Sequence, residues 1–265
     1  MIDAHDITVA LGGRPILHGA DFAARAGAVT AIVGPNGSGK TTLLRALTGD
    51  VGHTGRLMLD DTPMAVIPGH RLARRRAVLP QATRLAFPFT VLEVVRLGLI
   101  AQIGPARETL PQRALAEVGL KGFAARFYHD LSGGEQQRVQ LARVLVQVWE
   151  PVTDAGPSWL LLDEPVSSLD IGHQIDVMAL VRRYADRGGG VVAVMHDLNL
   201  TAQFADSVAV MAEGRVVAQG APAAVFDDAR LSRVYGCRLR LNTVPDGPVP
   251  FVLPQTAGPV AAAGS

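Results

Sequence analysis

The sequence predicts an α/β fold in which a mostly parallel sheet is covered by helices, and two observations support this. Short apolar runs rich in β-branched residues, bounded by turn or polar residues, recur at 29–33, 159–162, 190–195 and 207–211. Runs that are apolar on both faces are typical of buried parallel strands. Stretches of helical periodicity lie between and after them, at 42–48, 91–99, 110–118, 135–149, 175–187 and 198–205. Alternation of strands with helices favours a layered α/β sheet.

Composition sets further bounds. Hydrophobic residues make up 48% of the 265 residues and charged residues 18%, so the chain can bury a full core and is not disordered as a whole. The net charge of +1 gives no electrostatic reason to expect nucleic-acid binding. A single cysteine, Cys237, excludes an intrachain disulfide and indicates a cytosolic protein. The longest apolar runs are far shorter than the roughly 18 residues of a membrane span, so any role at a membrane requires a partner.

The chain changes character at three places. Residues 89–149 show helical periodicity and no convincing strand, which predicts an all-helical insert in the α/β core. Residues 150–158 contain Pro151, Gly156 and Pro157 and are predicted to be a surface loop. After Gly236 the pattern fades and prolines accumulate, which predicts an irregular tail.

A glycine-rich loop follows the first predicted strand. It fits the phosphate-binding pattern with Gly34, Pro35, Asn36, Gly37, Ser38, Gly39, Lys40 and Thr41. A helix opens at Thr42, so backbone N–H groups and the helix dipole can surround an anion while Lys40 reaches its oxygens. Lysine is rare in this chain, since 23 of the 25 basic residues are arginine and only Lys40 and Lys121 are lysine. A chance match is therefore disfavoured.

Two carboxylates follow the predicted strand at 159–162. Asp163 at a strand end can hold Mg²⁺, and Glu164 beside it can act as general base for an attacking water. A turn with two solvated acids is the alternative, and the phosphate loop makes it the weaker one.

The segment 131–136, Leu-Ser-Gly-Gly-Glu-Gln, is the most specific string in the chain. Ser132 and two glycines precede a predicted helix, which suits a second anion site. A plain helix cap is the other interpretation, with Ser132 and Glu135 forming a capping box. The two interpretations are compatible.

With Gln81, the segment 167–170 and His196, these motifs resemble the ATP-binding subunits of ABC transporters, in matching order over about residues 2–220. The resemblance implies a P-loop NTPase (RecA-like) core with an antiparallel β region near the N-terminus and an inserted all-helical subdomain. One ABC ATPase domain, 1–265, would then comprise a nucleotide-binding core at 1–85 and 155–220, a helical signature subdomain at 86–150, and a C-terminal helix with an irregular tail at 221–265.

The resemblance also implies the site and its ligands, ATP and Mg²⁺. Phosphates would be bound by residues 34–41 and Thr42, and catalysis would depend on Glu164, His196 and Gln81. Mg²⁺ would be held by Thr41, Gln81 and Asp163. In a head-to-tail homodimer, each ATP would also meet the other subunit's Ser132, Gly133, Gly134 and Asp170. The family often places an adenine-stacking aromatic residue where this chain has Leu11, which can offer an apolar contact, so base selectivity is expected to be weaker or to rely on other groups.

Finer features look like heme importer ATPases, namely the runs 86–94, 135–144 and 195–199 and a longer loop at 150–158. Siderophore and cobalamin importer ATPases resemble the chain nearly as closely, so the cargo stays open. The resemblance implies an integral membrane permease dimer as partner, indirectly a periplasmic heme-binding protein, no nucleic acid, and a peripheral position on the cytoplasmic face of the bacterial inner membrane. A soluble non-transport ABC ATPase is less favoured, because Lys40 and Ser132 are only 92 positions apart (132 − 40), too close for the long coiled coil of DNA-repair members.

Two segments are candidates for membrane-side contacts. Residues 87–99 directly follow Gln81 and are expected to dock the permease. The basic run Arg71, Arg74, Arg75 and Arg76 is expected to be a solvated face, with lipid headgroups or the membrane partner as the alternative.

Overall fold

The computed structural model describes residues 1–81, 85, 87–101, 105–248 and 250–256. The strands, in chain order, are β1 (Ile2–Leu11), β2 (Arg14–Ala24), β3 (Val29–Val33), β4 (Thr54–Leu59), β5 (Thr62–Pro63), β6 (Arg76–Leu79), β7 (Val152–Thr153), β8 (Gly156–Pro157), β9 (Trp159–Asp163), β10 (Gly190–Val194), β11 (Ser207–Ala212) and β12 (Arg215–Gly220). The α-helices are α1 (Lys40–Leu47), α2 (Gly69–Arg75), α3 (Val91–Arg96), α4 (Leu110–Glu117), α5 (Gly133–Gln147), α6 (Ile171–Asp186), α7 (Leu198–Phe204), α8 (Pro222–Val225) and α9 (Asp228–Tyr235).

The main sheet is mostly parallel. Within the described ranges it has six strands, in the order β12-β11-β3-β10-β9-β6, and only β12 is antiparallel to its neighbour. Strands β3, β9 and β10 are buried along their whole length, as their continuous apolar runs predict. The predicted α/β class is confirmed.

The ends of three strands meet at one edge of this sheet. Val194 of β10 is in register with Ile32 of β3 on one side and with Asp163 of β9 on the other. Parallel strands present ligand sites at their carboxyl ends. The segments that follow β3, β9 and β10, which carry most of the predicted site residues, therefore start from the same edge.

A second sheet is antiparallel, which confirms the predicted β region near the N-terminus. Its order is β2-β1-β4-β5. Residues of β1 alternate between buried and more exposed positions, with register shifts against β2, and buried side chains such as Ile2 and Phe22 pack in one cluster with Leu43 and Leu47 of α1. This sheet therefore covers the helix that follows the glycine-rich loop.

Helices dominate the middle of the chain. Between 91 and 147 the described residues form α3, α4 and α5 together with short 3-10 turns, and none of them belongs to a named strand. Helix α5 packs against both α3 and α4 through buried residues including Val139, Ala142 and Leu145. The pattern behind the predicted helical insert is thus present, while its boundaries at 86 and 150 stay a prediction.

The two tryptophans lie in different parts of the fold. Trp159 opens β9 and is fully buried, and a Cβ atom added to Gly190 would stand 2.3 Å from its ring. Trp149 follows α5 and is half-buried, with the Arg113 guanidinium carbon 4.9 Å from its ring centroid. Only a glycine fits against the first ring, so the start of β10 is fixed on β9.

Two expectations need correction, and a third lies partly outside the described residues. The predicted loop at 150–158 contains the hairpin β7–β8, closed where the Ser158 N–H donates to the Pro151 carbonyl at 2.8 Å. The C-terminal region has two short helices, α8 and α9, instead of one, because Ala221 and Asp227 each start a new helix. The end of the predicted tail, 257–265, lies outside the described residues.

The basic run is only partly a solvated face. Arg71 and Arg74 are exposed, but Arg75 donates to Asp60 at 2.6 Å and to the Pro157 carbonyl at 2.9 Å. Arg76 donates to the carbonyls of Leu47 and Thr48. Half of the run therefore ties α2 and β6 to neighbouring segments of the same chain.

Candidate functional site

The glycine-rich loop connects β3 to α1, and the lysine at its end forms hydrogen bonds with carbonyls at its start. The Lys40 ammonium donates to the Gly34 carbonyl at 2.9 Å and to the Pro35 carbonyl at 3.0 Å. Gly34 has a φ of 151°, and a Cβ atom there would stand 2.3 Å from the Met211 carbonyl oxygen. Only glycine permits this backbone conformation and this close approach to the Met211 carbonyl. The first position of the loop therefore requires glycine.

The loop carries a buried cation and a buried, unused donor. Lys40 is 6% exposed; burial lowers its pKa, and the charges of Glu164 and Asp163 oppose that effect. The Ser38 hydroxyl is buried and has no hydrogen-bond partner in the described part of the chain. A buried donor without a partner is costly. A cradle with one cation and one free donor fits a phosphate group.

Asp163, Thr41 and Gln81 border a single cleft of about 240 Å³. The Thr41 hydroxyl donates to an Asp163 carboxylate oxygen at 3.2 Å. Burial raises the pKa of Asp163, the Thr41 hydrogen bond opposes this rise, and the neighbouring Glu164 adds to it. Hydroxyl, carboxylate and amide oxygens are hard ligands of the kind Mg²⁺ prefers. Among the described residues, no cluster of three His, Cys, Asp or Glu side chains could hold a metal ion.

Glu164 and His196 form a close pair at the carboxyl edge of the sheet. His196 Nε2 lies 2.6 Å from Glu164 Oε1. Glu164 has a φ of 52°, which is uncommon for a residue with a side chain and is often found at functional sites. Its N–H donates to the Val194 carbonyl, and its own carbonyl accepts from Ser167 and from the Gln137 side chain. The backbone thus holds the carboxylate in place.

The segment 131–136 forms the helix cap that the sequence predicts. The Ser132 hydroxyl accepts from the Glu135 N–H at 3.3 Å, and the Glu135 carboxylate accepts from the Ser132 N–H at 2.8 Å. Ser132 and Gly133 are exposed, whereas a Cβ atom on Gly134 would meet the Ser168 carbonyl at 3.0 Å. The segment is therefore stabilised by its own capping box, and its N-terminal end is exposed to solvent.

Asp170 lies in the same region and caps α6. Its carboxylate accepts from the His173 N–H at 3.0 Å and lies 2.9 Å from His173 Nδ1. These contacts hold the pKa of Asp170 below its usual range. Within the described residues no hydrogen bond joins Asp170 or residues 132–134 to the phosphate loop.

The predicted site residues thus fall into two groups. The phosphate loop with Thr41, Gln81, Asp163, Glu164 and His196 gathers around the carboxyl edge of the main sheet. Ser132, Gly133, Gly134 and Asp170 form a second, separate group. Thr42 lies in the first turn of α1, and its side chain makes no hydrogen bond among the described residues.

Sequence reasoning missed two supporting residues. Gln137 donates to the Glu164 carbonyl at 3.2 Å and so links α5 to the acidic pair. Its place one residue after the segment 131–136, on the first turns of a helix, was the available signal. His173 pairs with Asp170, and their separation of three positions at a helix start was a usable capping signal.

A matched pair of cap variants can separate the two interpretations of Ser132. Thr90 forms the same capping box with Glu93 at the start of α3. Ser132→Ala and Thr90→Ala should each lower the free energy of unfolding by about 1 kcal/mol, because each removes one cap acceptor. If Ser132 also serves an anion site, only Ser132→Ala will weaken the binding of a phosphate-bearing ligand, compared at equal concentrations of folded protein. Chemical denaturation and nucleotide titration check this, and equal binding by both variants would leave Ser132 as a cap alone.

A glycine loop with a buried lysine between a strand and a helix, close to carboxylates at the end of another strand of the same parallel sheet, defines a P-loop nucleotide-binding protein. The family model described as ABC transporter matches residues 17–167, more than half of the chain. The chain belongs to the ABC transporter family and is one of its ATP-binding subunits, an ATPase.

Relatives and a solved structure agree with this assignment. The chain is 62% identical to the "Hemin import ATP-binding protein HmuV" of Jannaschia sp. (strain CCS1), over 97% of this chain and 95% of the relative. It is 58% identical to the protein of the same name from Roseobacter denitrificans, over 97% and 98%. The dimeric structure of MJ0796, a bacterial ABC transporter cassette, is 26% identical with a TM-score of 0.73, over 84% of this chain and 99% of that one.

Proposed function

We propose that this chain hydrolyses ATP to drive the import of heme through a membrane permease. The observation that carries the chemistry is the Glu164–His196 pair at 2.6 Å, on the sheet edge where the phosphate loop begins. A carboxylate held in this way can accept a proton from water as the water attacks the γ-phosphorus and ADP leaves. His196 would orient that carboxylate and contact the γ-phosphate.

The remaining residues of the first group bind and orient the substrate. Residues 34–41 and Thr42 would surround the phosphates, and Lys40 would neutralise part of their charge. Thr41, Gln81 and Asp163 would hold Mg²⁺, which supplies positive charge against the phosphate oxygens. Their chemistry and their shared cleft support this assignment.

The second group points to a homodimer. Ser132, Gly133, Gly134 and Asp170 are exposed or at a helix start, and within the described chain they make no hydrogen bond to the phosphate loop. In a head-to-tail dimer each of these groups would face the phosphate loop of the other subunit. The similarity to a dimeric cassette supports this arrangement.

A mixing experiment tests the shared site. Ser132→Arg and Lys40→Ala subunits are each expected to be inactive alone, because every site in such a dimer has lost one component. A mixed dimer can rebuild one intact site, so mixing should restore ATP hydrolysis, measured as phosphate release. If each chain carried a complete site, mixing would restore nothing beyond the sum of the two variants.

We expect this ATPase to bind a membrane protein. In the part of the chain that the structure describes, no helix has the length and hydrophobicity needed to cross a membrane. Phe87 is 71% exposed and Phe127 is 47% exposed, on segments that adjoin through the Thr90–Phe127 bridge. Exposed aromatic side chains of this kind suit a protein interface. We place a permease dimer here, which sets the chain peripherally on the cytoplasmic face of the bacterial inner membrane.

The cargo follows from the relatives. The two relatives described above are named hemin import proteins, and they are 62% and 58% identical to this chain over 97% of its length. Heme would reach the permease from a periplasmic heme-binding protein, which this subunit need not touch.

A reconstituted transport assay tests the cargo. Proteoliposomes containing the membrane permease that copurifies with this chain, together with this chain and ATP, should take up heme and should not take up a ferric siderophore or cobalamin. Glu164→Gln in the same proteoliposomes is the control for ATP-driven uptake. Uptake of a siderophore or cobalamin in preference to heme would reassign the cargo and leave the ATPase role intact.

A further inference from the structure

A glutamine of α5 contacts the backbone of the residue proposed as general base. The Gln137 side-chain amide donates to the Glu164 carbonyl at 3.2 Å, in a partly buried contact. The same carbonyl accepts from the N–H and the hydroxyl of Ser167, at 3.3 and 3.2 Å, within its own turn. In the described part of the chain, Gln137 is therefore the donor that connects this turn to another element of the fold.

The backbone of Glu164 has an uncommon conformation that requires support. Its φ of 52° lies in the left-handed region, and the ring of Pro165 restricts the backbone of the residue before it. Such a conformation persists where surrounding contacts hold it. The Glu164 N–H donates to the Val194 carbonyl at 3.2 Å, and the Glu164 carbonyl accepts from Gln137. Together these contacts set the direction of the carboxylate, which lies 2.6 Å from His196.

The start of α5 also packs against the segment that follows Glu164. A Cβ atom added to Gly134 would stand 3.0 Å from the Ser168 carbonyl oxygen and 3.2 Å from the Leu169 side chain. There is little free space between the two segments, so the first turns of α5 and the turn after Glu164 are in direct contact. A displacement of the helix start would therefore reach the general base through the Gln137 hydrogen bond.

We infer that Gln137 is a positioning residue for ATP hydrolysis: it holds the backbone of Glu164 of the same chain, so that the carboxylate faces the attacking water. The inference rests on the proposed role of Glu164 as general base. Gln137 directly follows the segment 131–136, which would contact the ATP of the other subunit. Gln137 itself acts on the ATP that the phosphate loop of its own chain binds.

Two methionine variants of the full chain test this role. Gln137→Met keeps the length of the side chain and removes the amide donor, and Gln137→Ala removes the donor without a bulky replacement. Gln140→Met is the matched control, because Gln140 lies on the same helix and its amide donates to the Tyr128 hydroxyl at 3.1 Å, a group outside the site. The measurements are the kcat and KM of ATP hydrolysis, the affinity for a fluorescent ATP analogue, and the melting temperature.

Gln137→Met and Gln137→Ala should each lower kcat about threefold to tenfold, which is the usual range for one lost hydrogen bond. The affinity for the analogue should be preserved, because the phosphate loop is untouched. Gln140→Met should lower the melting temperature and leave kcat unchanged. In a Glu164→Gln background, Gln137→Met should cause no further loss in single-turnover hydrolysis, because the group that it positions is already absent.

Mixed dimers show on which ATP Gln137 acts. In a dimer of Ser132→Arg and Lys40→Ala subunits, the one intact site uses the phosphate loop and Glu164 of the Ser132→Arg chain. Gln137→Met added to that chain should lower the restored hydrolysis by the same factor as in the homodimer. Added to the Lys40→Ala chain, it should lower the restored hydrolysis far less.

The inference is overturned by an unchanged kcat in Gln137→Met, or by an equal loss with and without the Glu164 carboxylate, which would indicate general destabilisation. A loss in mixed dimers that follows the Lys40→Ala chain would also overturn it, because Gln137 would then act at the ATP of the other subunit. Near-normal turnover by Glu164→Gln would refute the proposed general base itself. A slow Glu164→Gln with a normal Gln137→Met would refute only the positioning role, so the two failures can be told apart.

Discussion

Glu164→Gln should bind ATP with nearly unchanged affinity and hydrolyse it at least about 100-fold more slowly, because the amide cannot accept the proton of the attacking water. The amide keeps the size of the side chain and can still form a hydrogen bond with His196, which lies 2.6 Å from the carboxylate. The backbone contacts that hold residue 164 are also independent of the carboxylate. Binding and catalysis should therefore separate in this variant.

Single-turnover phosphate release and size-exclusion chromatography with ATP measure the two effects. We expect slow release together with accumulation of an ATP-bound dimer. Glu117→Gln is the matched control, since Glu117 is exposed and pairs with Arg183 at 3.5 Å on the surface. Near-normal turnover by Glu164→Gln would rule out this residue as the general base.

Lys40→Ala should lower ATP affinity by roughly 100-fold or more, because a buried charge that pairs with the phosphates is lost. The ammonium of Lys40 is nearly buried and is held by the carbonyls of Gly34 and Pro35, so it is fixed at the mouth of the loop before any substrate arrives. Lys40→Arg should recover little, because the guanidinium is broader than the ammonium and the loop is tight.

Titration with a fluorescent ATP analogue gives the affinities, and thermal unfolding shows whether each variant is folded. Lys121→Ala is a well-matched control, since Lys121 is the second of the two lysines and is exposed in a turn. Unchanged ATP affinity in Lys40→Ala would count against the phosphate loop itself. If Lys121→Ala lowered the ATP affinity as well, the cause would be a long-range effect of the protein's charge and not a contact at the loop.

The sequence predicts the buried strands well, because an element that is apolar on both faces leaves a continuous run. Strand β3 matches its prediction residue for residue, and β9 differs by one residue. Helix starts are harder, since α6 begins at Ile171, four residues before its predicted start. Its first turn contains glycine and histidine and is stabilised by the Asp170 cap rather than by apolar periodicity.

Short and half-exposed strands escape prediction for a similar reason. Strand β6 has four residues and follows a basic run, and it is set by pairing with β9, which lies far away in sequence. The hairpin β7–β8 has only two residues in each strand. The first depends on a tertiary contact that no local pattern records, and the second is too short to leave a pattern of its own.

The residues of the candidate site show the same contrast between local patterns and contacts that are distant in sequence. Motifs with fixed local spacing, such as the phosphate loop and the segment 131–136, could be found from the residues alone. The contact between Gln137 and the Glu164 carbonyl joins segments 27 positions apart, and the cavity that Asn36 and Arg233 share joins segments about 200 positions apart. Only the folded chain brings such groups together.

The placement of the two tryptophans gives the protein a built-in optical probe. Trp159 is sealed in the main sheet beneath Gly190 and should emit at short wavelength under all native conditions. Trp149 follows α5, the helix that Ser132 caps, is half-buried and lies near the Arg113 guanidinium. A change in emission on adding ATP would therefore originate at Trp149 and would report movement of that helix in the unlabelled, unmodified protein.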